Sequence, residues 1–265
     1  MINNISLNSG ISSSLSSLKD ISKSSEQYQK RLSTGKSVNS VTDDPVNFFN
    51  AVANLQAADD VNSYKNNISE SIQTMQAANN GVGAINKLAE AAKGIANAAL
   101  MTSDPAQRSE MAKNYNTMVT QMNQLAKDSG YRGTDFLTGD TQNVQTGNQS
   151  SIQIQGFDGT GGAQPAGANW ATDSDIQASI KQMESSVSNI RTNSASMQSQ
   201  SSTLSVYQNF NEKMGNILLS GADNLTLADM NETAASVMMY NTRQQLATTS
   251  LGMSSKSASS VLKLF

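Results

Sequence analysis

Residues 61 to 99 carry a heptad repeat that leaves the chain few options. With Val61 at position a, the a series runs Val61, Ile68, Met75, Val82, Ala89 and Ala96, and the d series runs Tyr64, Ser71, Ala78, Ile85, Ala92 and Ala99. Only Ser71 breaks the apolar pattern. A repeat sustained this long specifies an α-helix with one stripe turned to partner helices, because only a helical period brings those side chains back to one face. At about 1.5 Å per residue the segment is about 58 Å long. Small residues fill its far end, and Gly81, Gly83 and Gly94 lower local helix propensity, which predicts close neighbours or bending there.

A helix with one apolar stripe needs partners, and the rest of the chain offers them. Leu7, Ile11, Leu15, Leu18, Ile21, Tyr28 and Leu32 are three, four or seven apart among Ser, Lys, Glu and Gln, which predicts a helix over residues 7–32. Its stripe holds about one large side chain per turn, too thin for an isolated helix in water. Thr34 to Pro45 holds Gly35, Asn39 and an Asp-Pro step, and reads as a linker or shaped loop. At Ser103 to Gln107 a further helix starts, with Asp104 as N-cap, Pro105 in the first position and Gln107 able to reach back. Met111, Tyr115, Met118, Met122 and Leu125 continue it to a C-cap expected at Gly130.

From Tyr131 to about Ala171 the texture turns to Gly, Thr, Asn and Gln, and the alternation in Ser151 to Phe157 predicts a strand, hence one or two hairpins. Helical periodicity resumes with Ile176, Ile180, Met183, Val187, Ile190, Met197 and Leu204, then shifts register through Tyr207, Phe210, Met214 and Ile217. A break is expected at Ser220-Gly221. Thr226 to Asp229 then forms a capping-box candidate for a last helix to about Leu262, with Met239, Leu246 and Met253 seven apart on it. The order is close to a palindrome, and short connections favour antiparallel neighbours. The fold class is therefore mostly α: a long antiparallel coiled-coil helical rod with a small β-hairpin insert, both termini at one end.

Composition excludes more than it selects. The chain of 265 residues has no His and no Cys, so His-based and Cys-based nucleophile systems and the usual zinc, haem, iron–sulfur and thiol redox sites cannot be built. No cofactor and no enzymatic activity are expected. A net charge of -3 gives no footprint for nucleic acid, and no apolar run is long enough to cross a membrane. The pairs Asp43-Asp44 and Asp59-Asp60 and the group Asp223, Asp229 and Glu232 read as caps and solvated faces, since adjacent residues on a helix diverge. Phe157 to Gly162 lacks both the Lys-Ser/Thr of a phosphate loop and the repeated acids of a calcium loop, and reads as a turn. Lys19, Lys23, Lys30, Arg31 and Lys36 read as a solvated or intersubunit face, and the Met residues as packing. The first residues lack the continuous apolar stretch of a cleaved signal peptide.

Three segments point to a family. Arg31-Leu32-Ser33-Thr34-Gly35-Lys36-Ser37-Val38-Asn39-Ser40-Val41-Thr42-Asp43-Asp44-Pro45 resembles the N-terminal signature of bacterial flagellins. Thr242 to Thr248, followed by Ser260 to Phe265, resembles the flagellin C-terminus in an alphaproteobacterial-like form, and Tyr131 to Leu137 sits where the family has an aromatic-Asn-Gly-x-x-Leu turn, with Arg132 in place of Asn. The resemblance implies a structural subunit of the flagellar filament. Residues 1–44 and 222–265 would form a terminal coiled-coil inner domain, and 45–221 a helical shell domain with its β-hairpin insert at about 131–172.

The resemblance also implies a homo-polymer outside the cell, exported through the flagellar type III apparatus with an export chaperone and a filament cap as partners, and no cleaved signal. Helix stripes and resemblance together place polymerisation on Leu7, Ile11, Leu15, Leu18, Arg31, Leu32, Gly35, Asn39, Asp43 and Asp44, and on Met239, Arg243, Leu246, Met253, Val261, Leu264 and Phe265. A hook–filament junction protein of the same superfamily is the alternative. Flagellins sensed by the vertebrate innate receptor carry an Arg-rich stretch where this chain has Asn86 to Ile95, and Lys and Gly cannot reproduce bidentate Arg contacts, so weak or no activation is expected. Ordering the ends costs about 1–2 kcal/mol per residue in backbone entropy, more than two Ser-rich stripes return, so the ends are expected to fold on assembly.

Overall fold

The computed structural model describes residues 2–262. Among them are five α-helices and one two-stranded antiparallel sheet: α1 (Ile2–Thr34), α2 (Pro45–Leu100), α3 (Pro105–Lys127), β1 (Thr141–Gln145), β2 (Ser151–Gln155), α4 (Asp173–Thr226) and α5 (Met230–Leu262). This is the mostly α class with a small hairpin that the periodicity predicts. The chain divides into two compact units, Met1–Ala57 with Ile217–Phe265, and Ala58–Asn216, with the divisions falling inside α2 and α4.

Within Ala58–Asn216 the heptad stripe of α2 is the core. Every a and d residue from Ile68 to Ala99 is buried, Ser71 included, its hydroxyl donating to the Asn67 carbonyl at 2.9 Å. The hydrogen bond lets a polar side chain sit in an apolar seam. Helix α4 answers in antiparallel sense: Ser194 and Gln198 bond Asn79, while Arg191 pairs Glu90 at 3.7 Å and Glu184 pairs Lys93 at 3.0 Å. Rising α2 numbers meet falling α4 numbers. Met183, Val187, Ile190, Met197 and Leu204 are buried on the α4 side.

Helix α3 starts as its sequence predicts. Asp104 accepts from the Ala106 amide at 2.9 Å and Pro105 opens the first turn. Gln107 bonds the Thr102 hydroxyl and does not reach back to the cap. At the other end the cap is Asp128 in a right-handed conformation, not Gly130. Gly130 instead gives room for the following turn, since a Cβ there would lie 3.1 Å from Asp135 Cβ. Tyr115 on α3 packs against Trp170 with ring centroids 5.1 Å apart, and the Trp170 indole donates to Ser179 Oγ at 2.8 Å. Both aromatic side chains are fully buried.

The insert is a single hairpin in which Val144 pairs with Ile152 and Gln142 with Ile154; Val144 and Ile154 face the core. Asn211 of α4 donates to the Thr146 carbonyl at 3.0 Å. The Phe157 to Gly162 segment is a turn, as expected, with the Asp158 carboxylate accepting from the Thr160 and Gly162 amides. Gly161, at φ +62, lies so close to α4 that a Cβ would meet the Ser186 carbonyl at 2.2 Å. Of the three glycines singled out on α2, only Gly81 is tightly packed, whereas Gly83 and Gly94 face open space.

One helix is longer than its heptads, and one expected break is absent. Helix α2 begins at Pro45, well before the heptads, because Asp44 caps it and Pro45 suits a first turn. Helix α4 runs through Ser220-Gly221 to Thr226, and Gly221 serves close packing, with its notional Cβ 3.1 Å from Asn54 Nδ2. The start of α5 is capped by Asp229, which accepts from the Asn231 and Glu232 amides, while Thr226 bonds back to Ala222 O within α4.

Candidate assembly surface

The unit Met1–Ala57 with Ile217–Phe265 is built on the pairing of α1 with α5. The residues of α1 turned inward are Ile11, Ser14, Leu18, Ile21, Ser25, Tyr28 and Leu32, and those of α5 are Thr233, Val237, Tyr240, Gln244, Ala247, Leu251 and Ser254. Both sets alternate threes and fours, the spacing of a coiled-coil seam. Only Ser25 and Thr233 among them are fully buried. Ser25 Oγ donates to Asn241 Oδ1 at 3.2 Å, and Tyr28 stacks on Tyr240 at 5.3 Å. Arg31 lies 5.3 Å over the Tyr28 ring and Arg243 lies 5.9 Å over Tyr240. A Ser-rich seam with few large apolar contacts returns little free energy. Further along, the pair leaves a groove of about 440 Å³ lined by Gly10, Ile11, Ser14, Ser250, Met253, Ser254 and Ser257.

The loop after α1 is shaped by the residues that carry the N-terminal signature. Gly35 ends the helix at φ +69, a left-handed conformation that a side chain would strain, and its amide bonds Arg31 O at 2.8 Å. Asn39 Nδ2 donates to Lys36 O. Asp43 accepts from the Asn39 and Ser40 amides and from the Ser40 hydroxyl, each at 3.0 Å. The Asn39 amide foremost holds its carboxyl below the ordinary value of 3.8. Asp44 closes the loop as the N-cap of α2, accepting from Asn47 N at 3.0 Å. The same loop is zipped to the α4–α5 connection: Ser37 N donates to Thr226 O at 2.7 Å, and Ala228 N to Gly35 O at 3.0 Å. Gly35, Asn39, Asp43 and Asp44 thus shape and pin an elbow inside this unit.

The predicted helix residues divide between two faces. Ile11, Leu18 and Leu32 lie in the α1/α5 seam, half-buried, whereas Leu15 faces outward. Met239 and Leu246 also face outward, and with Met253, which edges the groove beside α1, and with Thr242 and Thr249 they form a second heptad stripe on α5 that no described segment of this unit fully covers. The seam residues Thr233, Ser25, Gln244 and Ser254 escape sequence reasoning because they are polar; only their spacing marks them. Leu7, Val261, Leu264 and Phe265 lie outside the described residues and side chains.

Exposed apolar side chains are concentrated in this unit. Of the large hydrophobics left exposed among the described residues, only Met101, Val206, Tyr207 and Phe210 belong to Ala58–Asn216. Val46, Phe49, Leu55, Ile217, Leu227, Met230 and Met238 join the stripe residues on the other unit. No group of residues able to hold a metal ion occurs among the described residues, and no helix there is long and apolar enough to cross a membrane.

Flagellin FljM of Caulobacter vibrioides is 24% identical over 270 residues, covering 100% of this chain and 99% of that relative. Flagellin FljO of the same organism is 23% identical over the same span. The crystal structure of Bacillus cereus flagellin matches with a TM-score of 0.48 at 16% identity, covering 55% of this chain and 88% of that one. Residues 5–142 match the bacterial flagellin N-terminal helical region, more than half of the chain, and the chain therefore belongs to the bacterial flagellin family, the structural subunits of the flagellar filament.

Proposed function

We propose that this subunit self-assembles into the filament used for swimming, and that α1 and α5 complete their burial only against neighbouring copies. One observation carries the reading: α5 has two heptad faces, of which α1 takes one, and the other, Met239, Leu246 and Met253, stays exposed. A surface that joins a different surface on the next copy propagates as an open helix when the rotation between copies does not close into a ring. Folding of the terminal helices is then coupled to addition at the filament end, where neighbours supply the missing apolar area. Membership of the family supports export through the flagellar type III apparatus without a cleaved signal, chaperone escort, and addition beneath a filament cap.

The test is negative-stain microscopy of purified full chain with short filament seeds, beside a variant lacking residues 254–265. Long filaments from the full chain, and none from a truncated variant whose remaining helices persist by circular dichroism, are expected. Filaments from the truncation would refute the role of the terminal helices; closed rings from the full chain would refute propagation and favour a junction protein.

A further inference from the structure

We infer that Met230, Met238, Met239 and Met253 of α5 form an oxidation-sensitive modification site that decides whether a subunit can join a filament. This rests on the assembly reading above. The chain has no Cys, so thioethers are its most readily oxidised groups, and its single Trp, Trp170, is fully buried. The thioethers themselves are sorted by the fold. Met75, Met122 and Met183 are sealed in the core at 0% exposure, whereas Met238 and Met253 stand 71% and 62% exposed. Among the described residues, every methionine in the exposed large hydrophobic set apart from Met101 lies on α5.

The reagent class is a hydroperoxide. The thioether sulfur attacks one peroxide oxygen, an S–O bond forms as the O–O bond breaks, and the departing oxygen takes a proton and leaves as water or alcohol. Sulfur loses two electrons and the peroxide gains them. The product is polar and chiral where the side chain was flexible and apolar. On the free subunit this costs the fold least at Met238 and Met253, which stand mostly in water. Against a neighbour it puts an S=O dipole into an apolar contact with no donor assigned to it. Met239 and Met253 flank Leu246 at heptad spacing, so two lesions disable one stripe. Subunits already in a filament have these sulfurs covered and are protected. Oxidation therefore acts on the free subunit.

The experiment treats purified full chain with hydrogen peroxide, locates added oxygen by peptide mass mapping, and measures seeded elongation. Added oxygen is expected on Met101 and the four α5 residues before Met75, Met122 or Met183, with elongation lowered about tenfold or more. Methionine sulfoxide reductases applied to the same sample should restore it. M230L/M238L/M239L/M253L, which keeps the apolar stripe, should elongate equally before and after peroxide, while M101L stays sensitive. Undiminished elongation by wild type carrying α5 sulfoxides, or equal sensitivity in the quadruple variant, overturns the proposal alone. Failure of untreated wild type to elongate removes the assembly reading and this proposal with it.

Discussion

Leu246→Ala separates the stability of the subunit from the stability of its polymer. The side chain is 65% exposed, so about a third of its surface is covered in the free chain. Full burial of a Leu side chain is worth about 1.5–3 kcal/mol, which puts the loss in the isolated subunit near ~0.5–1 kcal/mol, partly offset by the better helix propensity of Ala. If a neighbouring copy covers the remaining two thirds, the polymer loses a further ~1–2 kcal/mol per subunit. Each 1.4 kcal/mol is about tenfold in an equilibrium constant, so the critical concentration for seeded elongation should rise about five- to thirty-fold. The assay pairs a thermal melt by circular dichroism with the subunit concentration left in the supernatant after sedimenting filaments at steady state.

Ile21→Ala supplies the contrast. Ile21 lies in the α1/α5 seam, so its loss should appear in amide exchange of that helix pair in the free subunit as well as in assembly. An unchanged critical concentration for Leu246→Ala, with Ile21→Ala behaving as described, would refute the reasoning: the outer stripe would then be solvent-facing in the filament too.

Three further outcomes follow from the geometry. Gly81→Ala would place a Cβ 2.0 Å from Ser129 Oγ and 2.8 Å from Leu137 Cδ1, so it should lower stability by about 1–2 kcal/mol, while Gly83→Ala, with nothing within 4 Å, should raise it by about 1 kcal/mol; denaturant melts decide. Asp43 and Asp135 respond to acid in opposite senses. The stabilisation from Asp43, whose carboxyl is held low by the Asn39 amide, is full above its ordinary value and lost as pH falls through the lowered one; Asp135, raised by burial, costs stability when ionised, and that cost is relieved as pH falls through its raised value. NMR titration of residues 35–44 and 134–140 in Asp43→Asn and Asp135→Asn should show each dependence vanish separately. In reporter cells bearing the vertebrate innate flagellin receptor, this chain should give weak or no activation, and restoring Arg in the Asn86 to Ile95 segment should raise it; potent activation by the native chain refutes the expectation.

The fold was legible where one period ran unbroken. The α2 heptads, the Asp104-Pro105 start of α3 and the alternation in β2 each follow from local spacing and are found where that spacing puts them. What escaped was punctuation that depends on neighbours. Gly221 reads as a break, yet it lets α4 approach Asn54; Gly130 reads as a cap, yet it makes room for Asp135. Thr226 and Asp229 compete for one cap, and the loop bonded to Thr226 O and Leu227 O leaves the role to Asp229. For the candidate surface, Met239, Leu246 and Met253 were visible as a stripe, but spacing says only that residues share a face. Which face α1 occupies was decided by Tyr240, Gln244 and Ala247, which a search for large apolar residues passes over.

The two units place their free energy differently, and the signature residues connect that difference to assembly. The contiguous buried cluster lies wholly within Ala58–Asn216, from Ile68 to Leu204, so that unit satisfies its own apolar surface. The α1/α5 unit does not, and a weak seam could let the helices slide by a turn and carry the outer stripe out of register. Three features oppose this. The elbow fixes Gly35 against Ala228 at one end, Tyr28 on Tyr240 sets the phase next to it, and Ser25 bonds Asn241 one turn further on. Directional contacts penalise a slip that an apolar seam would tolerate. The signature loop therefore has a task that burial alone cannot perform: it holds a thin helix pair in one register while the pair's outer apolar stripe stays exposed.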